Sequence, residues 1–228
     1  MTRGFLTLVH STHKRLNTVG PSSNKETCGW KQSSTPYVNP LIERKGEYLS
    51  SGGFDYMRKV VMIGAGGSGK TALVNRFLTH KFSEEYIVTI GSQFAVKTVA
   101  VEAANGRNIV VKLLVWDLAG QQRFDFIRGS YYRGSKGALL VYDTTRKSTW
   151  VELPKWIKET EDALGERIPI ILLANKVDLA EERVITREMG EEFMREQNLV
   201  GYLETSALTG QNVEEAFSLL AKSSLSIS

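Results

Sequence analysis

Short apolar runs recur along the chain from about residue 57, and polar or helical segments separate them. The run Val60–Ile63 leads straight into glycines, which is typical of a buried strand that feeds a loop. Similar runs follow at Ala138–Tyr142 and Ile168–Leu173, and a shorter one lies at Leu199–Leu203. We predict that each of these runs forms a strand.

A hairpin is predicted between the first strand and the later ones. Residues 93–103 and 109–116 alternate apolar and polar side chains, and Asn105-Gly106 between them favours a tight turn. Strands that alternate with helices predict an α/β fold with a mostly parallel sheet and one antiparallel edge strand from this hairpin. The predicted helices cover Lys70–Leu78, Thr149–Leu164, Arg187–Gln197 and a last segment opened by a capping-box-like Asn212–Glu215.

The first 53 residues have a different composition. They are rich in Ser, Thr, Asn, Gly and Lys, show little hydrophobic periodicity and end in the run Ser50–Gly53. We predict a disordered, basic N-terminal arm over residues 1–53 and a single folded domain over residues 54–228. A transit peptide or a membrane-surface helix within the first 25 residues stays open as an alternative.

Charge and cysteine content narrow the function classes. The net charge of +4 equals the excess of seven bases over three acids in residues 1–53, so the remaining residues are balanced. A basic face for nucleic acid is therefore not expected. The single cysteine, Cys28, cannot form an intramolecular disulfide, which favours a reducing, cytoplasmic location.

The sharpest motif is Gly64–Thr71, which matches G-x-x-x-x-G-K-[ST] between a predicted strand and a predicted helix. Main-chain N–H groups must crowd around phosphate oxygens in such a loop, and this excludes side chains at several positions. Lys70 would reach the β- and γ-phosphates, and the Thr71 hydroxyl would bind Mg²⁺. The predicted phosphate-binding residues are Gly64, Gly66, Gly67, Ser68, Gly69, Lys70, Thr71 and Ala72.

A second motif predicts which nucleotide binds. Asn175, Lys176 and Asp178 follow a predicted strand, and ligands of open parallel sheets lie beyond the carboxyl ends of the strands. A carboxylate at Asp178 can accept from the N1–H and the 2-amino group of guanine. Adenine has neither donor, so it would leave the carboxylate unpaired and be rejected.

Between these motifs lies Trp116-Asp117-Leu118-Ala119-Gly120-Gln121. Asp117 ends a predicted strand and would hold a Mg²⁺-bound water. Gly120 lets a main-chain N–H approach the γ-phosphate, and Gln121 can orient an attacking water. The predicted metal site is therefore Thr71 with Asp117 acting through water, and the catalytic residues are Gln121 and Lys70.

Together these motifs resemble the Ras superfamily, and most of all its Rab branch, over residues 54 to about 224. Tyr86–Gly91 resembles the first switch segment, whose Thr89 falls where the family senses Mg²⁺ and the γ-phosphate. Trp116–Phe124 resembles the second switch segment. Phe82 falls where an aromatic ring packs against guanine. Glu204–Leu208 resembles the family's last guanine-contacting loop, which implies that Ser206, Ala207 and Leu208 contact the base.

This resemblance implies a P-loop domain with a six-stranded sheet, and a Mg²⁺-dependent GTPase that switches between GTP and GDP forms. No arginine lies between His80 and Gly91, so the first switch segment supplies no catalytic arginine. Slow intrinsic hydrolysis is expected, with an exchange factor, a GTPase-activating protein and effectors as partners. A scaffold that barely hydrolyses GTP and a nucleoside or nucleotide kinase are the alternatives.

Membrane attachment is expected to be weak. The chain ends at Ser228 without a terminal cysteine, so no prenyl anchor of the family's kind is expected. Contact with an anionic surface through the basic arm would be weak and salt-sensitive. The chain is thus expected to be cytoplasmic, with peripheral membrane contact as an open alternative.

Two groups of aromatic residues suit packing or partner binding. Trp150 and Trp156 lie at helical spacing with other apolar residues, which favours one buried helix face. Tyr131 and Tyr132 are equally consistent with an effector contact and with a packed helix end.

Overall fold

The computed structural model describes residues 53–82, 89, 92–102, 106–120 and 125–226, with the side chains of 125–127 left out. The predicted disordered arm falls outside this part of the chain, apart from Gly53, and stays a prediction. None of the helices in the described part is long and apolar enough to cross a membrane.

One mixed sheet of six strands forms the centre of the domain, in the order β2-β3-β1-β4-β5-β6. Only the β2–β3 pair is antiparallel, so the predicted fold class and edge hairpin are confirmed. The strands are β1 (Tyr56–Ile63), β2 (Ser92–Glu102), β3 (Asn108–Leu118), β4 (Ala138–Asp143), β5 (Ile170–Asn175) and β6 (Gly201–Thr205).

Two strands lie two residues later than predicted. β5 begins at Ile170 because Pro169 has no N–H to donate to a ladder, although its oxygen accepts from Ala138 N at 2.9 Å. β5 continues to Asn175 because that residue still pairs with Asp143 of β4. β6 follows the register of β5 and ends opposite it at Thr205.

Helices cover both faces of the sheet. They are α1 (Lys70–Thr79), α2 (Asp125–Tyr132), α3 (Lys147–Val151), α4 (Leu153–Leu164), α5 (Arg187–Glu196) and α6 (Val213–Ser224). The pattern at 149–164 predicted one helix, but the chain forms two. Pro154 explains the break, because it suits a first helical turn but cannot donate within a continuous helix.

The predicted capping box at Asn212 is wrong. Asn212 adopts φ 53, in the left-handed region, and its side chain does not cap α6. Its Nδ2 instead donates to the main-chain oxygen of Glu204 at 2.7 Å. The amide therefore fastens the start of α6 to the end of β6.

The core lies on both faces of the sheet. Val60 and Met62 of β1 pack in one cluster with Phe77 of α1 and Phe217 of α6, whose rings stack at 3.8 Å. The alternate residues of β1 point into a second cluster that contains Trp156 of α4. Of the residues predicted to form one buried helix face, Trp156 of α4 is buried, while Trp150 of α3 is only partly buried. In the sheet, the parallel pairing of β3, β1, β4 and β5 places the carboxyl ends of these strands at one edge.

Candidate nucleotide-binding site

The loop between β1 and α1 lies directly against its neighbours. Gly64 adopts φ +130, and a Cβ there would lie 2.2 Å from the oxygen of Val141 on β4. Gly69 adopts φ +100, and a Cβ there would lie 2.1 Å from Nδ2 of Asn175. Glycine is required at both positions because any side chain would collide with β4 or with the loop Asn175–Asp178, called the guanine loop below after its predicted ligand. The remaining loop residues lie between these two, and Ala72 follows in the first turn of α1.

Lys70 is buried at the start of α1 and bends back over the loop. Its Nζ donates to the main-chain oxygens of Gly64 at 2.7 Å and Ala65 at 3.0 Å. Burial lowers the pKa of Lys70 to about 8, and the charge of Asp117 partly opposes that shift. The carboxylates of Asp117, near the end of β3, and of Glu152 are the anions that favour the charged form of Lys70.

Three side chains with oxygen atoms that could bind a metal ion, Thr71, Thr89 and Asp117, lie together near Lys70. The Thr71 hydroxyl donates to Oδ2 of Asp117, and the Thr71 and Thr89 hydroxyl oxygens lie 2.8 Å apart. Burial raises the pKa of Asp117 above its ordinary value, although the hydrogen bond from Thr71 and the charge of Lys70 oppose that shift. The other carboxylate oxygen, Oδ1, is buried and has no hydrogen-bond partner among the residues that the structure describes.

These side-chain oxygens suit Mg²⁺. The cation prefers oxygen ligands, and proteins hold it with one or two carboxylates together with substrate phosphates. The buried Oδ1 of Asp117 costs free energy while it is unpaired, and a bound cation or its water would remove that cost. The residues present are therefore compatible with the predicted metal.

Gly120 lies against the phosphate loop from the β3 side. A Cβ at this position would lie 2.4 Å from the oxygen of Gly64 and 2.6 Å from the nitrogen of Gly66. The chain can therefore pass this close only with glycine. Gln121 lies outside the described residues, so its role stays a prediction.

The guanine loop is tied to the phosphate loop by Asn175. This side chain is buried, and its Nδ2 donates to the main-chain oxygen of Ser68 at 2.9 Å. Its Oδ1 accepts from the Thr205 hydroxyl of β6 at 3.3 Å. The neighbouring Lys176 adopts φ 68, while Asp178 is exposed at the end of the loop.

The remaining predicted base contacts lie on two separate segments. Ser206 and Ala207 are buried after β6, and Ser206 Oγ accepts from the Thr209 N–H at 3.0 Å. Leu208 is more exposed, as is Phe82, which follows α1. The fold thus brings the ends of β5 and β6 together, while Phe82 lies on another segment, after the end of α1, and its contact with the base stays a prediction.

Sequence reasoning gave no role to Asp143, the last residue of β4. Its carboxylate is fully buried, and Oδ2 lies 2.6 Å from Lys176 Nζ and 2.9 Å from Arg146 Nε. Burial alone would raise the pKa of Asp143, but hydrogen bonds from Lys176 and Thr145 lower it below its ordinary value. An acid at the carboxyl end of a wholly apolar strand was the signal that could have found it.

An aromatic row lies near the predicted switch segments. Phe94 is exposed, its ring lies 5.2 Å from that of Trp116, and Trp116 lies 5.4 Å from Tyr131. Tyr132 instead is buried and donates from its hydroxyl to Glu159 at 2.8 Å. The two adjacent tyrosines therefore differ, since one joins a partly exposed row and the other packs inside.

The strand–loop–helix phosphate loop and the acid beside it are those of a P-loop nucleotide-binding domain. Residues 59–226 match the Ras family, to which the chain therefore belongs.

Its similarity to Rab proteins is considerable. Ras-related protein Rab-4B of Homo sapiens is 42% identical over 172 residues, 75% of this chain and 78% of the relative. Ras-related protein Rab11D of Lotus japonicus is also 42% identical over 172 residues, 75% of this chain and 76% of the relative. Ras-related protein Rab-1 of Theileria parva is 39% identical over 170 residues, 74% of each chain. The predicted Rab-like relationship and GTPase activity are confirmed.

Proposed function

We propose that this GTPase is a Mg²⁺-dependent, two-state switch whose partners recognise its GTP form. The observation that supports this most is the cluster of contacts between Thr71, Thr89 and Asp117, which lies close enough to the buried Lys70 for its charge to interact with that of Asp117. One side of that cluster suits phosphate, and the other suits a hard cation.

Thr71, Thr89 and Asp117 would hold Mg²⁺, with Asp117 acting through water. When bound, the cation would neutralise charge on the phosphate oxygens of GTP. Thr71 and Thr89 already lie within hydrogen-bond distance of each other, although they are 18 residues apart in sequence. Binding or loss of the γ-phosphate and Mg²⁺ beside Thr71 would therefore change the contacts of Thr89 and the conformation of the segment around it.

Hydrolysis would use Lys70 and Gln121. The buried Lys70 ammonium stabilises the negative charge of the β- and γ-phosphates in a poorly solvated site. Gln121 would orient the attacking water, and the Gly120 N–H would approach the γ-phosphate. The proposed role of Gly120 is supported by its close approach to Gly64 and Gly66.

Base selection would depend on Asp178. The exposed carboxylate can accept from the two guanine donors, and the Ala207 N–H would face the guanine carbonyl. Lys176 and Phe82 would flank the base, while Asn175 holds the guanine loop on Ser68. Base and phosphates are thus bound by loops that contact each other.

Partner binding would use the aromatic row. Phe94 lies on β2 after the first switch segment, Trp116 precedes Asp117, and Tyr131 lies on α2 after the second switch segment. Aromatic side chains that are partly exposed provide apolar contact area for a protein partner. A change in either switch segment would therefore alter the neighbourhood of this row. An exchange factor and a GTPase-activating protein are expected as further partners.

Two measurements test this proposal. In competition with labelled GDP, unlabelled GDP should displace the label at far lower concentration than ADP, and EDTA should accelerate release. In a single-turnover assay, GTP should be converted to GDP slowly and only with Mg²⁺. Equal competition by ADP would favour a kinase, and tight GTP binding without turnover would favour a scaffold.

A further inference from the structure

Arg146 lies between β4 and α3 and reaches the phosphate loop from outside. Its Nη2 donates to the main-chain oxygen of Gly66 at 3.2 Å. The guanidinium also covers Gly67, since a Cβ there would lie 2.9 Å from Nη2 and 3.2 Å from Nη1. Arg146 and Gly66 are 80 residues apart in sequence, so only the fold creates this contact.

Asp143 holds the guanidinium in this place. Its Oδ2 accepts from Arg146 Nε at 2.9 Å, and its Oδ1 accepts from the N–H and the hydroxyl of Thr145 at 2.9 and 2.7 Å. Lys176 Nζ lies 2.6 Å from the same Oδ2. Because the carboxylate is fully buried and bonded on both oxygens, it cannot turn away without breaking several contacts.

The oxygen that Arg146 contacts belongs to the same peptide group as the N–H of Gly67. A hydrogen bond from a cation to the carbonyl of an amide polarises that amide and strengthens its N–H as a donor. In loops of this kind, the main-chain N–H groups are what bind phosphate. Arg146 can therefore act on bound phosphates through the Gly66–Gly67 peptide without touching them.

We infer that Arg146 is a positioning residue for the nucleotide phosphates, which holds and polarises the Gly66–Gly67 peptide and thereby slows nucleotide release. Since Asp143 also binds Lys176, the same contacts join the phosphate loop to the guanine loop. The inference rests on the proposed nucleotide site. It assigns a phosphate-side role to an arginine that lies far from both switch segments in the sequence.

The first test is the dissociation rate of fluorescent GDP from the full-length protein, measured with Mg²⁺ and an excess of unlabelled GDP. Arg146→Gln should accelerate release by about fivefold to tenfold; solvent limits the effect because the Arg146 side chain is 43% exposed. Arg146→Lys should give an intermediate rate, because a lysine cannot bridge Asp143 and Gly66 with a planar fork. The matched control is Lys147→Gln, which removes an exposed neighbouring cation and should change the rate by less than about twofold.

The second test separates this role from simple stabilisation of the fold. In GDP-bound protein labelled with ¹⁵N-glycine, the amide proton of Gly67 should shift upfield in Arg146→Gln, with Gly134, outside the site, as a reference. An unchanged Gly67 resonance and release rate would overturn the inference, whatever the thermal stability. Wild-type protein that held no guanine nucleotide would overturn the proposed function, and this inference with it.

Discussion

The guanine side and the γ-phosphate side of the candidate site are held in different ways. On the guanine side, Asn175 bonds to Ser68 and Thr205, and Lys176 pairs with the buried Asp143. These contacts are made within the protein and need no ligand.

On the γ-phosphate side, the polar groups are less completely satisfied. The Thr71 hydroxyl bonds to Asp117 and lies beside Thr89, while the other oxygen of Asp117 is buried without a partner in the described part of the chain. An unpaired buried oxygen costs free energy that a ligand can recover. We therefore expect changes on the guanine side to alter affinity and specificity, and changes on the γ-phosphate side to alter turnover and switching.

The largest effect is expected from Asp178→Asn on the guanine side. Replacing the acceptor that pairs with two guanine donors should weaken GDP binding by about a thousandfold or more. Xanthine nucleotides should gain affinity, because their 2-oxo group replaces the 2-amino donor. Competition binding with GDP, XDP and ADP measures both changes, and the exposed Glu181→Gln provides the control. GDP affinity that stayed at the wild-type level would remove Asp178 from the base site.

Gln121→Leu on the γ-phosphate side should lower GTP hydrolysis by about a hundredfold, since the group that orients water is lost. GTP affinity should stay nearly unchanged, because no binding contact is removed. Single-turnover hydrolysis and equilibrium binding, measured on the same preparation, separate the two quantities. Wild-type hydrolysis in this variant would place the chemistry on another residue.

Asp143→Asn tests the link between the two sides. It should lower the free energy of unfolding by about 2 kcal/mol, since the carboxylate is buried and its cationic partners are partly exposed. The exposed Asp162→Asn should change it by less than about 0.5 kcal/mol. Chemical denaturation at fixed GDP and Mg²⁺ measures both.

The pH dependence of the free energy of unfolding tests the role of Asp143 a second time. Although burial raises the pKa of Asp143, the hydrogen bonds from Lys176 and Thr145 lower it overall. A lowered pKa adds stability above the unfolded value of about 4 and loses it as the pH falls through the folded value. The difference between wild type and Asp143→Asn should be full at neutral pH and shrink below about pH 4. A constant difference across that range would contradict the assignment.

The smallest of the predicted changes is the loss of nucleotide affinity in Thr89→Ala. Lys70 and Thr71 remain, so nucleotide binding should weaken only severalfold, by about the value of one hydrogen bond. Hydrogen exchange across residues 82–92 should then be alike with GDP and with a non-hydrolysable GTP analogue. The exposed Thr98→Ala should keep the wild-type difference between the two states. Protection that still rose with the analogue in Thr89→Ala would mean that the γ-phosphate is sensed elsewhere.

Some parts of the fold could not be predicted from periodicity. Helix α2 contains Gly129, which lowers helix propensity. Tertiary contacts compensate, because Arg128 donates to Glu159 of α4 at 2.6 and 2.7 Å and lies 4.3 Å over the Trp156 ring. A helix that depends on such partners leaves only a weak pattern in its own sequence.

The sequence by itself determined the phosphate loop, the guanine loop and the alternation of strands and helices. Each of these is encoded within a few consecutive residues, because a loop that binds phosphate needs its glycines side by side and a buried strand needs a continuous apolar run. Only the tertiary structure decided how those segments support each other. Asn175 bonds to Ser68 across 107 residues and Arg146 to Gly66 across 80, and such separations depend on which strands lie side by side in the sheet.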